Sequence, residues 1–560
     1  YMDAKTMTMY YYPPYELTKE DRFEIATFDS NFISFNGAKY VTIEGVGLTT
    51  NADDPQVHSF NTKGGNGIYI SGSSSDITIK NCTLSHIGMH GKYIETKNVT
   101  IDGCVIYNTG WDGIYCDNCG NRNTLTPSNV VIKNCDISNP CRNTGNNAYG
   151  GIILSKNTVD VTIKNNLIHN CENNGIRYGG NGHQIFNNEF YDVVTQTVDA
   201  GAIYSGRSWA EYGTVIKHNF FHDIGPDYSH NDYLSLATFW DDYQSGGEFS
   251  NNIAVMNNYR RSAGIQVGAG VDNIVKGNTF VAGEIDFQGD SRDARDNRDW
   301  ITYIQSTLQL ATVPYNSAEW VAKYPQMSTL LDRVRANGYK PKLENLIADN
   351  FTVDCIQTKL TTAMQEDADI RNNIKAGKDY SVFVDPENLD YRVTKEAKEK
   401  YDIPDGVLDE DFDIDSIGIQ GDYLPNYEKL KIRSTYPEDK ATNIETKTAF
   451  LAWTKASLAD DYRYVVSTDP EFNNILIDET THYNSASLEG LENNKTYYWK
   501  VYSLNDSRKY RKSVECVNGV RSFTTAEFDT LDKSVLNDRI QKAYAMMDKV
   551  NEGNEAGQSA

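Results

Sequence analysis

The sequence predicts an all-β fold, a right-handed parallel β-helix, on three observations. A β-branched triplet ending in an aliphatic residue recurs along the first half of the chain. A short glycine-led strand lies between successive triplets. The two-residue Asn-Gly or Asp-Gly turns of a hairpin sandwich do not recur at regular spacing. The triplets are Val41–Ile43, Ile77–Ile79, Val99–Ile101, Val130–Ile132, Val161–Ile163, His183–Ile185, Thr214–Ile216 and Asn273–Val275. From Ile43 their ends are 36, 22, 31, 31, 22 and 31 residues apart, so a tight coil of 22 is lengthened by loops. The intervening strands start at Gly67, Gly113, Gly151, Gly175, Gly201 and Gly264. Strands this short bury no face alone, but stacked coil on coil they form continuous parallel sheets around an aliphatic core. The Asn that follows most triplets suits a left-handed turn whose amide ladders with its neighbours.

The repeat breaks near Asp286. Residues 299–338 read as helical, with Leu330, Leu331 and Val334 on one face, and predict a helical insertion at about 290–340. Glu344 to Cys355 resumes a coil, and Asp385 to Pro404 reads as a closing strand plus a capping helix. The predicted β-helix domain is 1–430. A second domain, 431–526, shows Trp453 followed by the alternating "YRYVVS", and Tyr497 between a turn and a strand. This resembles a fibronectin type III module, with its buried Trp and tyrosine corner. Residues 527–560 read as a helical tail, the start of a bundle, with Leu536, Ile540 and Tyr544 at helical spacing.

A net charge of −24 disfavours nucleic acid and anionic membranes as partners, since both need positive charge. The chain lacks an apolar run long enough to cross a membrane as a helix. The opening residues contain neither a signal peptide's apolar stretch nor an initiator Met, so the natural chain is read as extending further, with cell-surface attachment through regions outside this sequence. The nine cysteines do not form a disulfide scaffold. Cys82, Cys104, Cys135 and Cys171 read as a buried stack, and the Cys116/Cys119 pair as a loop disulfide or two thiols. The composition, rich in Tyr, Asn, Gly and Thr, points to an extracellular protein facing a carbohydrate polymer or oligosaccharide.

Chemistry is expected where residues break the repeat. Asp199 precedes Gly201 in a neutral stretch and is followed by Arg207 and Trp209. On the next coil Trp240 runs into Asp241 and Asp242, at most one of which faces a given groove. His222 lies on the coil between. Paired carboxylates are what glycoside hydrolysis needs, one to protonate the leaving oxygen and one to attack or to activate water. Asp199, Asp241 and Asp242 are therefore the catalytic candidates. Trp209, Trp240 and Trp111 offer platforms for sugar faces. Arg207, His222 and His183 are further substrate-binding candidates. Turn capping is the competing role for Asp199, and turn packing for His222.

The run from Asn181 to Gly225, "NGHQIFNNEFYDVVTQTVDAGAIYSGRSWAEYGTVIKHNFFHDIG", followed by "FWDDYQSGG", resembles secreted bacterial β-helix proteins around glycoside hydrolase family 141. The leading "YYYPP" and the "AEWVAKYPQMSTLL" insertion fit the same resemblance, which spans residues 1–425. It implies α-L-fucosidase or xylanase activity, with Asp199 and either Asp241 or Asp242 as the catalytic pair. The chain departs from the pattern at "GIQVGAGVDN", where Ala269 stands in place of an Arg. A second pairing, Asp192 with Asp199, would resemble lacto-N-biosidase-type enzymes acting on host glycans. The competing readings are a polysaccharide lyase or epimerase, which needs a Lys or Arg base and calcium, and a tailspike-like adhesin without clustered acids. No cofactor or catalytic metal is expected. The acid-rich loops would admit a structural calcium, without EF-hand spacing.

Overall fold

The computed structural model describes residues 2–3, 6, 8–9, 28–51, 65–142, 148–226, 234–256, 262–288, 296–421, 430–456, 459–508 and 512–527. The chain divides into two compact units. One contains 23–425 with 507–510; the other contains 1–22, 426–506 and 511–560. The leading "YYYPP" and the helical tail after residue 527 lie outside the described residues.

The larger unit is a parallel β-helix of three sheets, each with eleven strands among the described residues. The first sheet runs from Lys39–Glu44 to Asp369–Arg371, the second from Gly47–Thr49 to Ile374–Lys375, and the third from Ile33–Phe35 to Gln357–Leu360. The recurrent triplets form the first sheet. Ile79, Ile101, Ile132, Ile163, Ile185 and Ile216 stand in one row, continued by Phe249, Val275 and Ile347. The glycine-led strands form the third sheet. Each coil also has a strand after the Asn that a two-strand reading lacks, such as Leu167–Cys171. Coils without the Gly-Ile signature also take part: Ser235–Asp241 and Glu284–Gln288 are full members of the third sheet.

The corner after each triplet uses two residues. The first adopts the left-handed conformation, as Asn165 and Asn187 do. The second ladders: each of Asn166, Asn188, Asn219, Asn252 and Asn278 donates its Nδ2 to the Oδ1 of the next Asn at 2.9–3.1 Å. Cys82, Cys104 and Cys135 hold this second position in the earlier coils. Cys171 stands apart from them, beside Val193 in the second sheet. All nine cysteines are free, including Cys116 and Cys119.

The insertion forms the helices Trp300–Ser306, Ala318–Lys323 and Pro325–Ala336, with Leu330, Leu331 and Val334 buried. The segment expected to cap the helix end does something else. Phe383–Asp385 pairs with Asp390–Val393, and the helix Lys395–Tyr401 follows. Val382, Phe383, Tyr391, Val393 and Ala397 pack against Phe220, Ile253, Val281 and Phe351, covering the outer face of the second sheet. Apolar outward residues on that sheet create a surface that must be covered.

The smaller unit is antiparallel except where Ala441–Ile444 pairs in parallel with Arg521–Thr525. Ser434–Tyr436, Phe450–Trp453 and Ser485–Ser487 form one sheet; Asp461–Ser467, Ile475–Thr481, Thr496–Asn505 and Arg521–Thr525 lie in another. Trp453 and Trp499 are wholly buried in its core, and the backbone N–H of Glu492 donates to the Tyr497 hydroxyl at 2.8 Å.

Candidate functional site

Strand register decides which predicted residues meet. Ala200–Gly206 pairs with Ser235–Asp241: Ala200 lies opposite Ser235 and Gly206 opposite Asp241. Asp199 and Asp241 are on neighbouring coils, but at opposite ends of their strands. At about 3.3 Å per residue they stand on the order of 20 Å apart, beyond the reach of a catalytic pair, whose carboxyl groups lie within about 10 Å. Asp199 is exposed at a left-handed turn (φ 60°), so the expected pairing of Asp199 with Asp241 or Asp242 is not formed. Asp192 is also left-handed, and its N–H donates to the carbonyl of Asp223 on the next coil, itself left-handed. It lies in the second-sheet strand Glu189–Val193, while Asp199 precedes the third-sheet strand Ala200–Gly206.

The aromatic and histidine candidates separate as well. Trp240 points into the helix bore and donates its Nε1–H to the Tyr178 hydroxyl at 2.9 Å. Trp209 is wholly buried in the core. Neither presents a face to a sugar. Trp111 is buried beside Met89, Cys141 and Tyr149, several coils away from Asp241. His183 is a corner residue; its Nε2 meets the carbonyl of Gly179 at 2.7 Å, and burial lowers its pKa to about 4. His222 lies on the second sheet between Tyr191 and Phe220, paired with Glu189 and Asp223. Burial disfavours its charge, but those two carboxylates prevail and raise its pKa to about 9.

Asp241, Asp242 and Arg207 do come together. Asp241 ends its strand facing outward, since its neighbour Trp240 faces in. One carboxylate oxygen accepts the Tyr204 hydroxyl at 2.8 Å and the other accepts the Asp242 N–H at 2.8 Å. Asp242 starts the turn and accepts the Arg207 Nε–H at 3.0 Å. Glycines flank Asp241: a Cβ at Gly206 would lie 2.8 Å from the Asp241 Cβ, and one at Gly268 would lie 3.0 Å from the Asp242 nitrogen. Burial, then the charge of Asp241, raises the pKa of Tyr204, which keeps the phenol protonated as a donor.

Sequence reasoning missed the rest of this face. Its outward row reads Arg177, Tyr204, Phe239, Gln266, Asp286 and Lys359 on successive coils. The Arg177 guanidinium stacks over Tyr204 at 4.9 Å, and Tyr204 meets Phe239 edge-on at 5.4 Å. Lys359 Nζ lies 2.5 Å from Glu284 and 3.8 Å from Asp286, so those carboxylates share one ammonium. The signal was present in "EIDF" and "TFW", which align with "GIRY" once the residue after each inward aliphatic is read as a column. Without a leading Gly-Ile, "EIDF" did not stand out as a strand, and in "TFWDD" attention fell on Trp240 and the two acids. Among the described residues, no group of three or more His, Cys, Asp or Glu could hold a metal ion.

A family model described as a right-handed β-helix region matches residues 21–221. No curated protein matches the chain. A solved structure described as a glycoside hydrolase is similar at 14% identity over 41% of this chain and 42% of that one, with a TM-score of 0.28. A tailspike protein of E. coli bacteriophage HK620, solved with a pentasaccharide, is similar at 10% identity over 46% and 49%, with a TM-score of 0.31. The chain thus spans less than half the length of these two structures.

Proposed function

We propose that the β-helix unit is a glycoside hydrolase whose reacting carboxyl groups are Asp241 and Asp286. The observation that carries this reading is their placement: both face outward on the third sheet, two coils and two residues apart. That is a backbone span of about 12 Å. Carboxyl groups leaning in from such a span leave room for a sugar ring and a water, the wider arrangement that goes with inversion. Asp241 accepts hydrogen bonds from the Tyr204 hydroxyl and the Asp242 N–H, which orient its carboxylate to draw the proton from the attacking water. Glu284 takes the closer contact to Lys359, and a second negative charge beside it is disfavoured. Asp286 therefore gives its proton to the leaving oxygen as the glycosidic C–O bond breaks. Tyr204, Phe239 and Arg177 line the approach.

The resemblance to glycoside hydrolase family 141 directs the search to fucosylated and xylan-type glycans and to a secreted bacterial protein. The smaller unit reads as a fibronectin type III spacer. The test is a glycan panel assayed for new reducing ends. Asp241→Asn and Asp286→Asn should each lower turnover about 10²–10⁴-fold, and Asp199→Asn should leave it unchanged. Full activity in Asp241→Asn, or no release from any glycan, refutes the reading. A second reading is a polysaccharide lyase with Lys359 as its base, but Arg177 stands five coils, about 24 Å, along the row and cannot hold the carboxylate of the same sugar. An unsaturated product from a uronate polymer would identify it.

A further inference from the structure

The row that contains Asp241 continues along the third sheet toward the N-terminal coils. In register it reads Glu95, Asp117, Ser155, Gly179, Gly206, Asp241 and Gly268, and the N–H groups of Glu95, Asp117, Ser155 and Gly179 keep the parallel ladder. Glu95 and Asp117 are half-buried on adjacent coils, about 4.8 Å apart along the axis, and Glu95 is five coils, about 24 Å, from Asp241. Between the two ends the row holds only a serine and glycines, and beside Gly179 the Lys156 stem and the Glu211 carboxylate lie 3.0 and 3.2 Å from where a Cβ would stand.

The neighbouring outward row carries Tyr69, Tyr93 and Tyr115, with ring centroids 5.7 and 5.0 Å apart. Tyr69 donates to Glu95 at 2.5 Å and Tyr93 to Asp117 at 3.4 Å. Against these rings lies His90, 1% exposed, at 5.0 Å from Tyr115 and 5.5 Å from Tyr93. Its Nδ1 lies 3.1 Å from Asp112, and among the described residues neither ring nitrogen makes a hydrogen bond. A buried ring nitrogen left unbonded beside half-exposed tyrosines is costly unless something completes it.

We infer that Tyr69, Tyr115, Glu95, Asp117 and His90 form a distal subsite for a neutral, hydroxyl-rich glycan chain lying along the helix axis. The inference rests on the reading of the Asp241 face as glycan-cleaving and extends it: the substrate is a polymer, engaged several sugars from the point of cleavage. The rings take the apolar faces of the sugars, and the carboxylates accept from hydroxyl groups. The same two carboxylates repel uronates.

The test is affinity electrophoresis of the full chain, in the Asp241→Asn background, through gels containing neutral xylan or polygalacturonate, with and without chelator. Retardation is expected with xylan alone and is insensitive to chelator. The pair Tyr69→Ala/Tyr115→Ala, and separately Glu95→Gln/Asp117→Asn, should each weaken binding about tenfold or more. Tyr115→Phe should bind as its parent does, and thermal unfolding of every variant reports that it is folded. Unchanged binding in both pairs, preference for polygalacturonate, or loss with chelator overturns the subsite. Tyrosine-dependent binding without cleavage by the wild type upholds the subsite and refutes the hydrolase. Cleavage with tyrosine-independent binding does the reverse.

Discussion

Asp241 is held by two donors, and each can be removed separately. Tyr204→Phe deletes only the hydroxyl that donates to it, and should lower turnover roughly tenfold, the worth of one hydrogen bond to a charged group. Steady-state kinetics on whichever glycan the wild type cleaves measures it. The two buried histidines set the pH range of stability in opposite ways. His222 has a folded pKa of about 9, above its ordinary 6.5, so its contribution is complete below pH 6.5 and is lost as the pH rises to 9. His183, lowered to about 4, contributes fully above 6.5 and loses that contribution as the pH falls toward 4. Thermal unfolding between pH 4 and 9 should give a midpoint that declines on both sides of 6.5, and His222→Gln should flatten the alkaline side alone.

The third-sheet strands position the site because parallel pairing fixes which residues share a row. Gly206→Ala tests this directly. Its Cβ would press on the Asp241 side chain and backbone, so turnover should fall while the circular dichroism spectrum stays unchanged. The ladder at the corner makes the opposite prediction. Asn188 donates to Asn219 and the Ile163 carbonyl, and accepts the N–H and Nδ2–H of Asn166. Asn188→Ala strands those buried groups, at about 1–3 kcal/mol for each left unsatisfied. Its thermal midpoint should drop by several degrees.

The two compact units have separate cores, which predicts separable unfolding. Trp453 and Trp499 pack only within the smaller core among the described residues. Trp453→Ala should cost about 3–5 kcal/mol. In calorimetry it should lower the transition of that unit and leave the transition and catalysis of the β-helix in place. A shift of both transitions together would mean that the units unfold as one.

The coil pattern, the bore-lining aliphatics and the insertion's buried face were legible in the sequence because local periodicity and turn chemistry produce them. Ile163 and Ile185 are predicted inward, and Asn166 and Asn188 are predicted at corners, from a few neighbouring residues. The Asp241, Asp242 and Arg207 cluster was legible too, because it lies where strands meet their turns on adjacent coils. The pairing of Asp199 with Asp241 was not: coils of unequal length conceal which residues share a row, and register is fixed by hydrogen bonds between strands some 35 residues apart. Glu284, Asp286 and Lys359 became one group only through that stacking, and Trp240 and His222 lost their expected roles to it. Composition and spacing can say that a side chain lies on a strand. Which face it takes, and what stands beside it, is set by contacts between segments far apart along the chain.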